Sequence, residues 1–421
     1  MNLGWKTVRG DEAGGAGSVV DPFVADAQLG GYRLLEPLGA GGMAEVWRAK
    51  SFGPGGFERE VVIKRIQSAY ASDPEFVSLF LDEARISGLL HHPNVVEVHG
   101  FGEHQGTPYL VMEYVEGPSV SRVLRALHST QRRMPPAIAA YVAREVCRAL
   151  AYVHDLTDDS GRPLAIVHRD VTPANILLTR SGGVKLLDFG VAKFRCSESL
   201  TRAGTVRGKP AYLAPEQIEE KSLDRRVDLF ALGVVLHEML SLEHLFAGDS
   251  DLVTVRKVLE MEIPRPSSRC AGVPDALDAI VMKALERDRR LRYQTAGEMA
   301  RDLDEIVVAS GLRIEEITAF VAALEADMRE MQLRAASLIR AESERSPMPA
   351  RAARSGSAAP TVRERGRARE RRAPRRSGAA LAGVALVAAA LAAAFGLHVN
   401  VTKNVARAAT PPAIECSRSP G

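Results

Sequence analysis

Cysteine, aromatic residues and long apolar runs are all scarce in this chain. Only four cysteines occur in 421 residues, Cys147, Cys196, Cys270 and Cys416, far apart and with no C-x-x-C pair. A disulfide scaffold is therefore excluded, and the first three suit a reducing compartment. Aromatic residues make up 5% against 46% apolar and 25% charged, the balance of a globular chain with an Ala/Arg-rich appendage rather than of a wholly disordered one. No apolar run follows Met1, so no cleavable secretion signal is visible, and residues 1–31 read as a polar, glycine-rich flexible leader. A broad excess of one charge is missing too. The formal net charge is +3, yet residues 363–376 alone hold eight Arg and two Glu, a local +6 that leaves the rest at −3. A near-neutral body with one short basic stripe argues against a nucleic-acid reader, whose positive charge spreads over a folded face.

The length is enough for two domains with full cores. Apolar and polar residues begin to alternate at Tyr32, and dense periodicity runs to Val308. Residues 32–115 predict several short strands with one helix near 75–90, whereas residues 116–308 predict long amphipathic helices broken by short strand-like runs. The class expected is α+β, a small β-rich lobe joined to a larger helical one. Residues 309–345, charged and rich in Ala, Leu and Met, predict one or two exposed helices that serve as a spacer or a self-association element. Residues 346–376 turn to Pro, Arg, Ser and Ala without an apolar period and are expected to be a disordered linker.

Residues 377–399 are different. From 378 onward they carry no charged side chain, and about 22 residues at a rise of about 1.5 Å each are long enough to cross about 30 Å of hydrocarbon. A single transmembrane helix is expected, with a soluble Ala-rich helix packed on a partner as the alternative. Positive residues crowd its N-terminal flank, which places the body in the cytoplasm and residues 400–421 outside as a short tail. There Cys416 could form an intermolecular disulfide.

Chemistry-bearing residues cluster in the first two thirds. Leu38-Gly39-Ala40-Gly41-Gly42-Met43-Ala44-Glu45-Val46 is a glycine-rich turn between strands, and Val61-Val62-Ile63-Lys64 follows on the next strand. Such a turn brings backbone N–H groups close to phosphates with no Cβ in the way, and the strand lysine can pair with them. Glu83, on the predicted small-lobe helix, is placed to hold Lys64 by an ion pair, although Asp82 beside it competes for that role. Then come His168-Arg169-Asp170-Val171-Thr172-Pro173-Ala174-Asn175, Asp188-Phe189-Gly190 and Ala214-Pro215-Glu216.

In this order and spacing the motifs resemble the glycine loop, strand lysine, catalytic loop, metal-binding triplet and activation-segment end of the protein-kinase family, in its bacterial, eukaryotic-like transmembrane Ser/Thr form. The resemblance covers residues 32–308 and implies a two-lobed kinase fold (N-lobe 32–115, C-lobe 116–308). It implies ATP and Mg²⁺ as cofactors, protein Ser/Thr hydroxyls as acceptors, and autophosphorylation. By resemblance, Asp170 accepts or orients the acceptor hydroxyl, Asn175 and Asp188 hold Mg²⁺, and Leu38, Gly39, Ala40, Gly41, Gly42 and Val46 cover the nucleotide. Lys64 and Glu83 position its phosphates. Met112 becomes the back wall of the adenine pocket, and Glu113-Tyr114-Val115 the hinge, with Glu113 and Val115 meeting the purine edge. Asp228 resembles the helix residue that braces the catalytic loop, and Arg292 the buried partner of Glu216. His168 and Phe189 read as packing residues.

Two departures stand out. Thr172 occupies the position where Ser/Thr kinases usually carry a lysine, and Lys209 the position where they usually carry a threonine. The two look exchanged, and Lys209 is expected to reach the place of the missing lysine with Thr172 as its partner, which also weakens any choice of Ser/Thr over Tyr acceptors. Thr205 and then Thr201 are the expected phosphosites, with Arg169 as the phosphate's partner. His91, His92, His99 and His104 read as ordinary turn and strand residues, not a metal cluster. Self-association through the kinase domain or the apolar segment is compatible with the pattern. The competing functional class is a pseudokinase-like scaffold or binding module, which has no chemical need to keep Lys64, Asp170, Asn175 and Asp188 together.

Overall fold

Strand periodicity decides which side of the small lobe each residue faces. A computed structural model describes residues 25–40, 44–188 and 210–345, with side chains to residue 337. The chain divides into two units, residues 1–328 and 329–421. In the first, strands β1 (Gln28–Leu29), β2 (Tyr32–Ala40), β3 (Ala44–Phe52), β4 (Glu58–Ile66), β5 (Val98–His104) and β6 (Thr107–Glu113) form an antiparallel sheet in the order β1-β2-β3-β4-β6-β5. Helix α1 (Pro74–Ser87) joins β4 to β5, started by Pro74 and capped by Asp73, whose carboxylate accepts from Glu75 N–H at 2.9 Å. Side chains alternate along β4. Val61 and Ile63 pack with Leu34, Trp47 and Tyr109 on one face, while Val62 and Ile66 pack with Phe80 and Ala84 of α1 on the other. Lys64 shares the second face, so period two alone aims it at α1.

The larger lobe begins with α2 (Val120–Ser129) and α3 (Pro136–His154), followed by the short antiparallel hairpin β7 (Ile176–Leu178) and β8 (Val184–Leu186). A helical turn at Pro215–Ile218 precedes α4 (Arg226–Ser241), which is buried along nearly its whole length. A helix buried all round belongs in the centre of a lobe, and α3 packs against α4. After it come α5 (Asp251–Glu260), α6 (Asp275–Ala284), which also packs on α4, and α7 (Ala296–Ser310), which packs on α3; α7 is capped by Thr295 and ends at Gly311 with φ +64°. Arg292 donates to both oxygens of Glu216 at 2.7 and 3.1 Å, with both side chains buried. Removing one member of such a pair leaves an uncompensated charge and costs about 3 to 5 kcal/mol.

Helix α8 (Ile314–Arg345) departs from expectation. It is one helix, and its first turns bury one face: Ile317, Phe320, Val321 and Leu324 are all buried. Their spacing is an apolar stripe of helical period, hidden in the sequence by the charged residues on the opposite face. Arg180 and Arg132 of the larger lobe pair with Glu325 and Asp327 of the same helix at 2.9 and 2.7 Å. In the second unit the described residues are the remainder of α8. Among the described residues no helix is long and apolar enough to cross a membrane. The leader up to residue 24, the linker 346–376, the apolar segment 377–399 and the tail 400–421 lie outside them.

Candidate active site

Carboxylates from two separate elements converge on Lys64 of β4. Its ammonium lies 2.6 Å from Glu83 Oε1 on α1 and 2.8 Å from Asp188 Oδ1, two residues beyond β8. Burial disfavours the charge, but the carboxylates of Asp188 and Glu83 outweigh it and hold the ammonium's pKa above the ordinary lysine value. Asp82, the competitor in sequence, accepts instead from Arg85 at 2.8 Å on the outer side of the helix. Glu83 therefore takes the inward position.

The loop from His168 to Asn175 is held from beneath by Asp228 of α4, fully buried. One Asp228 oxygen accepts from His168 N–H at 2.8 Å and lies 2.8 Å from His154 Nε2; the other accepts from Arg169 N–H at 2.7 Å. Arg169 takes the left-handed conformation, φ +64°, and Asp188 does so as well, φ +43°. A non-glycine residue there is strained, and the two clamped backbone N–H groups show what holds the turn at Arg169. Burial works to raise the Asp228 pKa, but the hydrogen bond from His154, the imidazoles nearby and Arg169 N–H outweigh it and keep it below the ordinary 3.8.

His168 does more than pack. Its Nδ1 accepts from Asp170 N–H at 3.2 Å and its Nε2 donates to Leu187 C=O at 2.8 Å, so one fully buried imidazole links the backbone of Asp170 to the residue before Asp188. A backbone N–H on one ring nitrogen and a carbonyl on the other require the neutral Nε2–H tautomer. Burial lowers its pKa accordingly, against the pull of Asp228 and Asp170. Asn175 Nδ2 donates to Asp170 Oδ2 at 2.6 Å and to Asp170 C=O at 2.9 Å, while Leu187 N–H returns to Asn175 C=O at 2.8 Å. Asp170, Asn175 and Asp188 are thus tied into one frame.

The cleft wall follows from the β4–β6 register, which pairs Val62 with Met112 and Lys64 with Leu110. Val62 and Met112 are both buried. The Glu113 carboxylate accepts from Lys185 Nζ at 2.8 Å and Glu97 N–H at 3.3 Å, while Glu113 N–H donates to Glu97 C=O at 2.9 Å, so the side chain is spent on fixing the strand end. Val115 and Tyr114 pack against the α1-side cluster together with Val46. Leu38, exposed, and Gly39, with open space where a Cβ would stand, lead into the glycine turn through Ala40, which pairs with Glu45. Gly41 and Gly42 lie outside the described residues, as do Phe189, Gly190, Thr201, Thr205 and Lys209. Thr172, the expected partner of Lys209, is buried. His92 stacks on Tyr152 at 5.0 Å and its Nδ1 accepts from Asn94 N–H at 3.1 Å. Lys185 and His154 carried no signal in the sequence, since their roles depend on contacts between residues distant along the chain.

A six-stranded lobe over a helical one, with a buried lysine joined to carboxylates from above and below the cleft, defines the two-lobed kinase class. The comparisons agree: the protein kinase domain family matches residues 32–302, and the chain belongs to that family. It is 41% identical over 275 residues to Tyrosine-protein kinase MasK of Myxococcus xanthus, covering 65% of this chain and 43% of that protein. It is 40% identical over 278 residues to Serine/threonine-protein kinase PknB of Mycobacterium leprae, covering 65% and 42%. The matched stretch thus spans about two fifths of the length of these relatives. Among solved structures, the PknI kinase domain of Mycobacterium tuberculosis is similar with a TM-score of 0.51 at 25% identity, covering 67% of this chain and 99% of that one.

Partly and fully buried imidazoles generate a pH dependence of folding. His92, His99, His168 and His237 are each held below the ordinary 6.5, by burial in every case. Such groups bind protons more readily unfolded than folded, so their contribution to stability is complete above about pH 6.5 and is lost as the pH falls through the folded values. The urea midpoint is expected to drop from about pH 8 to about pH 5.5. A midpoint constant over that range contradicts the assignment of neutral imidazoles.

Proposed function

We propose that the chain is an ATP-dependent protein kinase that transfers the γ-phosphate to Ser or Thr hydroxyls of proteins, itself included. The observation that carries this reading is the placement of Lys64 between Glu83 and Asp188, at 2.6 and 2.8 Å. Phosphoryl transfer asks a protein chiefly for alignment and for dispersal of negative charge. Lys64, kept charged and aimed, pairs with the α and β phosphates beneath the turn that Gly39 opens. Asp170, its carboxylate oriented by Asn175 Nδ2, positions the acceptor hydroxyl and takes its proton.

The donor set fits Mg²⁺. Asn175 spends its amide N–H on Asp170, so its metal contact is through the side-chain carbonyl oxygen, and Asp188 adds a carboxylate; both are hard oxygen ligands. An ion held by two protein oxygens would take its remaining ligands from phosphate and water. When bound, the ion neutralises charge on the phosphates. Lys209 joins it as a cation at the γ-phosphate, with Thr172 as its partner, and Arg169 receives the phosphate of Thr205 or Thr201. PknB's name supports Ser/Thr acceptors, whereas MasK's name and the Thr172/Lys209 exchange make tyrosine the alternative to test.

With labelled ATP and Mg²⁺, Asp170→Asn is expected to lower turnover about 10²- to 10⁴-fold, and Lys209→Ala about 10²-fold with ATP affinity unchanged. The label on acid hydrolysis should be phosphoserine and phosphothreonine. Absence of label from the unsubstituted chain on any acceptor would establish a scaffold instead, and full turnover in Lys209→Ala would reject the exchange.

We also propose that residues 377–399 anchor the chain as a single-pass membrane protein with the kinase domain in the cytoplasm. Their uncharged composition and the Arg-rich stretch before them support this reading. Alkaline carbonate extraction should leave the full chain in the membrane pellet, and release into the supernatant would contradict the anchor.

A further inference from the structure

Asn175 and Asp188 stand at the two roots of the hairpin β7–β8. Its tip rests against α8. A methyl group at Gly182, where φ is +85°, would lie 2.7 Å from Ile314 Cδ1 and 3.3 Å from Thr318 Cγ2, and Tyr141 Oη donates to Gly182 C=O at 3.0 Å. Along one side of the hairpin runs the chain leaving the hinge. Leu178 N–H donates to Pro118 C=O at 2.9 Å and Arg180 N–H to Glu116 C=O at 3.0 Å, and Ser119 forms an antiparallel bridge with Leu177. At Gly117, φ +148°, a Cβ would stand 1.9 Å from Leu178 O, so only glycine lets the two backbones approach this closely.

Arg180 ties the three parts together. Its Nε donates to both oxygens of Glu325 on α8, at 3.0 and 2.9 Å, and its Nη1 lies 3.3 Å from Glu116 Oε1, one residue beyond Val115. The helix is itself fixed by the burial of Ile317, Phe320, Val321 and Leu324. The guanidinium thus joins a helix seated by its apolar stripe to the hinge exit and to the hairpin that bears both candidate metal-binding residues. A planar fork with several donors can serve two carboxylates at once, which an ammonium does with less directional hold.

We propose that Arg180 is a positioning residue through which the seated first turns of α8 brace the hinge exit against the β7–β8 hairpin, making nucleotide affinity depend on α8. This rests on the reading of the cleft as a nucleotide site. The helix then supports nucleotide binding rather than serving as a spacer after the domain. Asp327 provides the matched control, because it lies on the same helix and pairs with Arg132 at 2.7 Å, and Arg132 belongs to the α2–α3 connection rather than to the hinge or the hairpin.

The test uses the full chain and a non-hydrolysable ATP analogue with Mg²⁺, titrated calorimetrically, beside urea midpoints and kcat at saturating ATP. Exposed ion pairs are individually weak, so Arg180→Ala and Glu325→Ala should each raise the Kd about two- to fivefold. The double variant should be no weaker than Arg180→Ala alone, Arg180→Lys should recover part of the loss, and kcat should stay unchanged. Asp327→Ala should lower the urea midpoint as Glu325→Ala does while leaving the Kd at the unsubstituted value. Equal affinity in all variants, or an equal loss in Asp327→Ala, overturns the brace. An unsubstituted chain that binds no nucleotide overturns the reading of the cleft, and the brace with it.

Discussion

A single ammonium between two carboxylates governs this molecule. Lys64 comes from the sheet, Glu83 from the helix behind it and Asp188 from the far lobe, and each is separated from the others by many residues of chain. Burying a lone charge is costly, whereas a buried charge with close partners of opposite sign is tolerated. The pair and its third member therefore restrict where α1 and the strand end after β8 can lie relative to β4. Positioning for chemistry and compatibility with burial are met by the same contacts.

The helical lobe solves a related problem with different groups. Asp228 is buried at the centre of α4 and takes up backbone N–H groups from a turn whose Arg169 has a positive φ. The energy of that local strain is offset by hydrogen bonds to a charged acceptor, stronger than neutral ones. His168 then carries the order outward, one ring nitrogen to Asp170 and the other to Leu187. From Asp228 to Asp170 to Asp188, each acidic residue is positioned by hydrogen bonds from named neighbours. The post on which they stand, α4, has almost no exposed surface of its own.

Much of this is legible in the amino-acid sequence. The side of β4 that Lys64 faces follows from strand alternation, and the choice of Glu83 over Asp82 follows once α1 presents one face to the sheet. The Glu216–Arg292 pair and the Asp228 brace sit where the motif resemblance put them. What stayed hidden depends on long-range contacts. His168 read as packing because nothing local reveals that two backbone groups meet its ring. The first turns of α8 read as exposed because charged residues dominate the composition, and the stripe of Ile317, Phe320, Val321 and Leu324 only acquires meaning once the fold buries it. Lys185 and Arg180 gave no signal either, since their partners Glu113 and Glu325 are set by the fold.

The most direct measurement is a crystal structure of the chain soaked with Mg²⁺ and a non-hydrolysable ATP analogue. The account predicts Lys64 Nζ on the α and β phosphates with Glu83 still beside it, and the metal on Asp188 and the Asn175 side-chain oxygen, with Asp170 facing the γ-phosphate. A nucleotide bound elsewhere, or one bound in the cleft without contact to Lys64 and Asp188, would contradict it.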